Sequence, residues 1–129
     1  MFLMFNMFLL IDSSENNKIH LALFDEKVIE HKYYSGRNRE ILNCIDKLLG
    51  KKKAKGIMVV MGAGSFTSTR VACVVANTFA YVQQIPLLAV KIEEVKEIQK
   101  LIPKLLKQKP GHYLSATYSA EPNIGRKKQ

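Results

Sequence analysis

Cysteine is scarce in this chain: two in 129 residues, Cys44 and Cys73. Both lie in predicted helices without Cys-x-x-Cys spacing, so they read as small core residues of a protein kept in a reducing cytosol. Long apolar runs are lacking too. Met7 to Ile11 is too short to cross a bilayer. The opening residues are apolar, but no basic segment precedes them and no small-residue cleavage site follows, so no secretory signal is expected. Acids are in short supply, 11 against 20 Lys+Arg. Two-metal hydrolysis needs several carboxylates held together. Asp12 offers one, but the fourth predicted strand ends in Met61-Gly62-Ala63-Gly64 with no second acid, and Glu15, Asp25 and Glu26 fall in early turns. That argues against a nuclease. His20, His31 and His112 are scattered and read as ordinary surface or core histidines, so no metal site is expected. No Ser–His–acid set announces itself, and Ser65 lies in Gly-Ala-Gly-Ser-Phe rather than in the G-x-S-x-G elbow. Internal repeats and low-complexity tracts are absent. The chain reads as non-catalytic, with no cofactor and no metal.

What is present is ordinary globular material. With 47% hydrophobic and 24% charged residues, 129 residues can bury one core. The net charge of +9 favours nucleic acid or an acidic partner, unless the lysines merely solvate the surface. The basic residues cluster at Lys51-Lys52-Lys53, along residues 91–109 and at Arg126-Lys127-Lys128.

The pattern predicts three short-looped antiparallel strands: Phe8 to Asp12, residues 18–24 and Val28 to Tyr34. An amphipathic helix follows from Arg37 to Leu49, closed by Gly50. Ile57 to Met61 is a buried strand, residues 68–84 a helix, and Pro86 to Val90 a fifth strand. A last helix covers residues 92–108, with Pro103 expected to kink or split it. The parallel part follows from the crossover helices. This order gives an α/β fold: a ribonuclease-H-like half-domain of the actin, Hsp70 and sugar-kinase superfamily, with a five-stranded mixed sheet and three main helices. The expected division is one domain over 1–109 and a basic tail over 110–129.

The stretch from Ile57 to Arg70 and the helix after it organise the rest. Gly62-Ala63-Gly64 is a sharp turn where glycine permits positive φ. Backbone N–H groups at Gly62, Gly64 and Ser65 are candidates for holding a phosphate before the helix. The spacing matches neither a P-loop nor G-x-G-x-x-G. Asp12 stands where nucleotide-binding relatives of this fold place an aspartate, but Ser13 and Ser14 follow it instead of glycine, so an Asx turn is the rival role. Along the helix, Ser68, Ala72, Ala76 and Ala80 recur every fourth residue, with Cys73 beside them. Such a row makes a groove for a second helix, and is read as an interface. The competing reading packs it inside the monomer. Val71, Val75, Phe79 and Val82 are expected to face the sheet.

Gly62-Ala-Gly-Ser-Phe-Thr-Ser-Thr-Arg-Val-Ala, followed by Ala80-Tyr-Val-Gln-Gln-Ile-Pro-Leu-Leu-Ala-Val90, resembles the signature of the TsaB family. That signature is G-P-G-S-F-T-G-x-R, a small-residue helix and x-I-P-L-x-x-V. Ala63 replaces its proline and Ser68 its second glycine. Leu9-Leu-Ile-Asp-Ser-Ser14 is similar to the family's opening strand and D-T-S turn. The resemblance covers residues 7–98, with a weaker echo in Tyr118 to Ile124. It implies a non-catalytic subunit of the complex that places threonylcarbamoyl on adenosine 37 of tRNA. A TsaD-like catalytic subunit and a TsaE-like ATPase would be its partners, and tRNA would be met through the complex; the small-residue row, for its part, offers a surface for pairing two copies when the partner is absent. Family members usually carry a second half-domain, so a minimal, cytoplasmic version is expected, with Arg126, Lys127 and Lys128 touching nucleic acid. The alternatives are a small nucleotide-binding domain of actin-like fold and a basic RNA-binding module.

Overall fold

The computed structural model describes residues 7–36, 40–50, 52–62 and 66–110, and the side chains of all of these except residues 66–68. Gly64, Ser65, the Ser68 side chain, His112 and Arg126-Lys127-Lys128, named above, lie outside the described residues, as does nearly all of the expected tail.

The order is β1 (Phe8–Asp12), β2 (Lys18–Phe24), β3 (Ile29–Ser35), α1 (Ile41–Leu49), β4 (Gly56–Val60), α2 (Phe66–Gln83), β5 (Leu87–Val90), a 3-10 helix (Ile92–Leu101) and α3 (Ile102–Leu106). The strands form one sheet in the order β3-β2-β1-β4-β5. β1, β2 and β3 pair antiparallel, while β4 pairs parallel with both β1 and β5. This is the five-stranded mixed sheet expected, in the actin-like and ribonuclease-H-like arrangement.

Chemistry explains the local pieces. β1 and β4 are buried along their whole length, which is why they read as unbroken apolar runs rather than alternating ones. The β2–β3 turn is held by Asp25, whose Oδ1 accepts from the N–H groups of Lys27 and Val28, each at 2.8 Å. Gly50, at φ 59°, ends α1 and donates its N–H to the Asp46 carbonyl at 2.7 Å. Gly56 is needed for closeness: a Cβ there would stand 2.8 Å from Leu105 Cδ2 and 3.2 Å from Phe8 Cδ1.

The sheet separates two cores. On one side α1 and α2 cover Leu9, Ile11, Leu21, Ile57 and Val59. On the other, Ile98, Ile102 and Leu105 cover Phe8, Leu10, Phe24, Met58 and Val60.

The helix expected over 92–108 is split into two pieces, one of the two outcomes expected of Pro103. Glu97 has non-helical angles (φ −124°, ψ 33°) inside the 3-10 segment, and Pro103 sits in the first turn of α3. Proline splits the helix by starting its second piece, because its missing N–H is not required in the first turn.

The expectation for the small-residue row needs correction. Ala72, Cys73, Ala76 and Ala80 are each at most 1% exposed and belong to the core beneath α1 and α2. The row is covered by this chain's own sheet and first helix. Small side chains let the α2 backbone settle close to β4, and the larger Val71, Val75 and Phe79 fill the margins of that contact, half-buried. Val82, expected to face the sheet, is 71% exposed.

Candidate functional site

β1, β2 and β3 bring together residues far apart in sequence. Asp12 is registered opposite His20, and His20 opposite Tyr33; His31 sits two positions along β3, opposite Ala22. Alternation along a strand repeats every two residues, so these side chains share the sheet face of Leu10, Ala22 and Phe24. The Asp12 Oδ2 lies 3.3 Å from His20 Nδ1, and His20 Nε2 lies 2.8 Å from His31 Nδ1. The rings stack: His20 on Tyr33 at 4.5 Å and 10°, His20 on His31 at 5.0 Å and 29°. Asp12 and His20 are buried, and Tyr33, 62% exposed, closes the row at the surface.

The second Asp12 oxygen, Oδ1, accepts the Ser14 N–H at 2.9 Å, the Asx turn. Both carboxylate oxygens are thus engaged within the chain. Burial pushes the Asp12 carboxyl up, but hydrogen bonds from His20 and Ser14 outweigh it and hold the group below its ordinary 3.8. Burial, and then the charge of His20, hold the His31 imidazole below its ordinary 6.5. The two histidines that look scattered in the sequence are therefore one hydrogen-bonded unit. A signal existed: counting outward from the Asp25 turn puts His20 opposite Tyr33. Among the described residues no group of three His, Cys, Asp or Glu is placed to hold a metal ion.

His20, His31 and Tyr33 form one wall of an open groove of about 550 Å³, whose other wall is the 3-10 helix with Ile92, Glu93, Val95, Lys96 and Gln99. A second cavity, about 330 Å³, lies at the C-terminal ends of β4 and β5, lined by Met61, Gly62, Val90, Lys91, Glu94 and Lys104. Of the phosphate candidates, Gly62 borders it, with φ 80°; Asp12 borders neither cavity. Glu94 Oε1 accepts the Lys91 N–H at 2.8 Å. The edges of open α/β sheets at strand C-termini are where such folds take ligands.

The outer side of α2 is a third feature. Val74, Thr78, Tyr81 and Val82 follow helical spacing and are exposed, Val74 by 59% and Tyr81 by 70%. Leu42 of α1 is also exposed. No described helix is long and apolar enough to cross a membrane.

The chain matches no family profile and no curated protein sequence. Among solved structures it superposes on YeaZ from Pseudomonas aeruginosa with a TM-score of 0.58 and 25% identity, over 67% of this chain and 44% of that one. The fold is that of YeaZ, a TsaB protein. A second structure, described as an uncharacterized protein with similarity to peptidase YEAZ from Pseudomonas aeruginosa, matches with the same TM-score of 0.58, identity of 25% and coverage of 67% and 44%. The chain spans less than half the length of these YeaZ structures. The TsaB resemblance carried by the residues around Gly62 and Pro86 thus agrees with the three-dimensional match.

Proposed function

We propose that this chain acts as a cytoplasmic TsaB-like accessory subunit in the threonylcarbamoyl modification of tRNA adenosine 37, scaffolding a TsaD-like catalytic partner joined by a TsaE-like ATPase. The likeness to YeaZ carries the reading. A physical feature supports it: the outer face of α2 leaves Val74, Tyr81 and Val82 in water although its inner face is fully used. Tyrosine and large aliphatic residues on one helical stripe suit a helix-packing partner. The contact surface is therefore assigned to this outer stripe instead of to Ala72, Cys73, Ala76 and Ala80. The same stripe would pair two copies when the partner is missing.

Co-expression with the TsaD-like protein of the same genome, followed by size-exclusion chromatography, tests this. The pair should co-elute, and Tyr81→Arg with Val82→Glu should abolish co-elution while leaving the fold intact. Separate elution of the unmutated pair at micromolar concentration would refute the reading. The Arg126-Lys127-Lys128 cluster is proposed to add tRNA affinity in the complex; truncation after Gly125 should lower the salt slope of tRNA binding.

The cavity beside Gly62, bordered by Lys91 and Lys104, favours a second reading as a nucleotide-binding domain. Saturable ATP or ADP binding by the isolated chain, weakened by Lys104→Ala, would support it over the scaffold.

A further inference from the structure

The row Asp12–His20–His31 fixes the chemistry of one atom at the groove. A carboxylate can only accept, so His20 Nδ1 carries the proton in the bond to Asp12. With His20 neutral, its Nε2 must accept, so His31 Nδ1 donates across the 2.8 Å bond. A neutral His31 then has a bare Nε2. Among the described residues no hydrogen bond to that nitrogen is formed. The row thus orients an acceptor on the rim of the cavity. Around it stand an exposed tyrosine ring, a carboxylate (Glu93) and an ammonium (Lys96).

We propose that this groove binds a guanine base. Its volume of about 550 Å³ is ample for a nucleoside. Tyr33 offers a stacking face already stiffened by its contact with His20. Guanine presents two adjacent donors, N1–H and the N2 amine, beside one acceptor, O6. The groove offers the reverse set: the His31 Nε2 and Glu93 acceptors, and the Lys96 donor. Adenine, cytosine and uracil each lack that pair of neighbouring donors. A free guanosine and a guanine splayed from single-stranded RNA share this chemistry.

Adding one proton to the histidine pair reverses the site. When His31 takes it, Nε2–H forms directly. The outer acceptor then becomes a donor. The titratable groups facing the pair are Asp12 from β1, Tyr33 from β3, and Glu93 and Lys96 from the 3-10 helix. Guanine binding should therefore weaken as pH falls below 6.5, because the His31 imidazole is held below that ordinary value.

The test uses the full chain, titrated with guanosine and adenosine and followed by amide and imidazole NMR shifts. Guanosine should shift His31, Tyr33 and Lys96 at concentrations at least tenfold below adenosine. Tyr33→Ala should weaken binding about tenfold to a hundredfold, the range for losing a stacked base. His31→Phe keeps an aromatic ring, should weaken binding about tenfold, and should remove the difference between pH 8 and pH 5.5. Both positions are exposed, and preserved amide dispersion confirms folding. Glu93→Gln, on the other wall, gives an independent variant expected to reduce the preference for guanosine. The pentamers UUGUU and UUUUU separate the sources: tighter binding of UUGUU than of guanosine points to RNA, equal binding to the free nucleoside. Equal response to guanosine and adenosine, shifts confined to other residues, or a His31→Phe variant that binds as the parent would overturn the proposal. None of these readouts involves a TsaD-like protein, so their failure leaves the scaffold reading intact.

Discussion

The two sides of α2 invert the ordinary amphipathic arrangement. The side against the sheet carries Ala72, Cys73, Ala76 and Ala80, and the side in water carries Val74, Tyr81 and Val82. Size, not hydrophobicity, distinguishes them. Small residues inside bring the helix axis close to β4 and leave the filling of the core to the strands and to Ile41 and Ile45 of α1. Large residues outside gain nothing from the monomer. The inner side is shaped by the chain's own sheet, and the outer side is the surface that the proposed function assigns to a partner.

The comparison breaks most severely at Ala76. Ala76→Arg puts an unpaired charge into the core that also holds Ile57 and Val59, and should cost about 3–5 kcal/mol, read as loss of the cooperative thermal transition. An unchanged Tm would mean the row is not core. Overpacking comes next. Gly56→Ala forces its new methyl to within 2.8 Å of Leu105 Cδ2, and should cost about 1–3 kcal/mol in urea denaturation; no loss would show that Leu105 yields freely. The outer side should tolerate what the inner side does not. Tyr81→Arg with Val82→Glu should change stability by about 0.5 kcal/mol or less, while losing the partner. A variant that unfolds instead would make the outer stripe part of the monomer's own structure.

Acidity gives the smallest and most graded effect. Folding disfavours the His31 cation, because that imidazole is held below its ordinary 6.5. Its contribution is therefore lost as pH falls below 6.5. Asp12 is held below 3.8, so its contribution is present above that value and lost as pH falls further, through its lower folded value. Both slopes have the same sign. The urea midpoint should fall gently from pH 7.5 to 5 and more steeply below 4. His31→Phe should flatten the upper part and leave the lower part unchanged; a midpoint rising on acidification would contradict both directions.

Much of this was legible in the residues. Unbroken apolar runs named β1 and β4, and the short turns at Asp25 and Ser14 named an antiparallel meander. The crossover helices named the parallel half, and the stretch from Gly62 through Pro86 carried the resemblance to TsaB. Each signal is local, carried by periodicity or by a turn's backbone needs. Pro103 marks an interruption, kink or split, but the pattern does not show which side of the break owns it.

The sequence by itself determined the order of elements, the antiparallel meander and the resemblance to TsaB, because hydrophobic period and turn chemistry act within a few residues. Tertiary structure alone decided which side of α2 faces inward. A row of alanines suits a sheet and a partner helix equally, and the choice was settled by what stood ready to cover it: β4 and α1 of the same chain. It also decided that Asp12, His20 and His31 are one unit. That depends on register across two hairpins, and register brings to 2.8 Å two rings eleven residues apart, a relation that no count along the chain displays until the turns are placed.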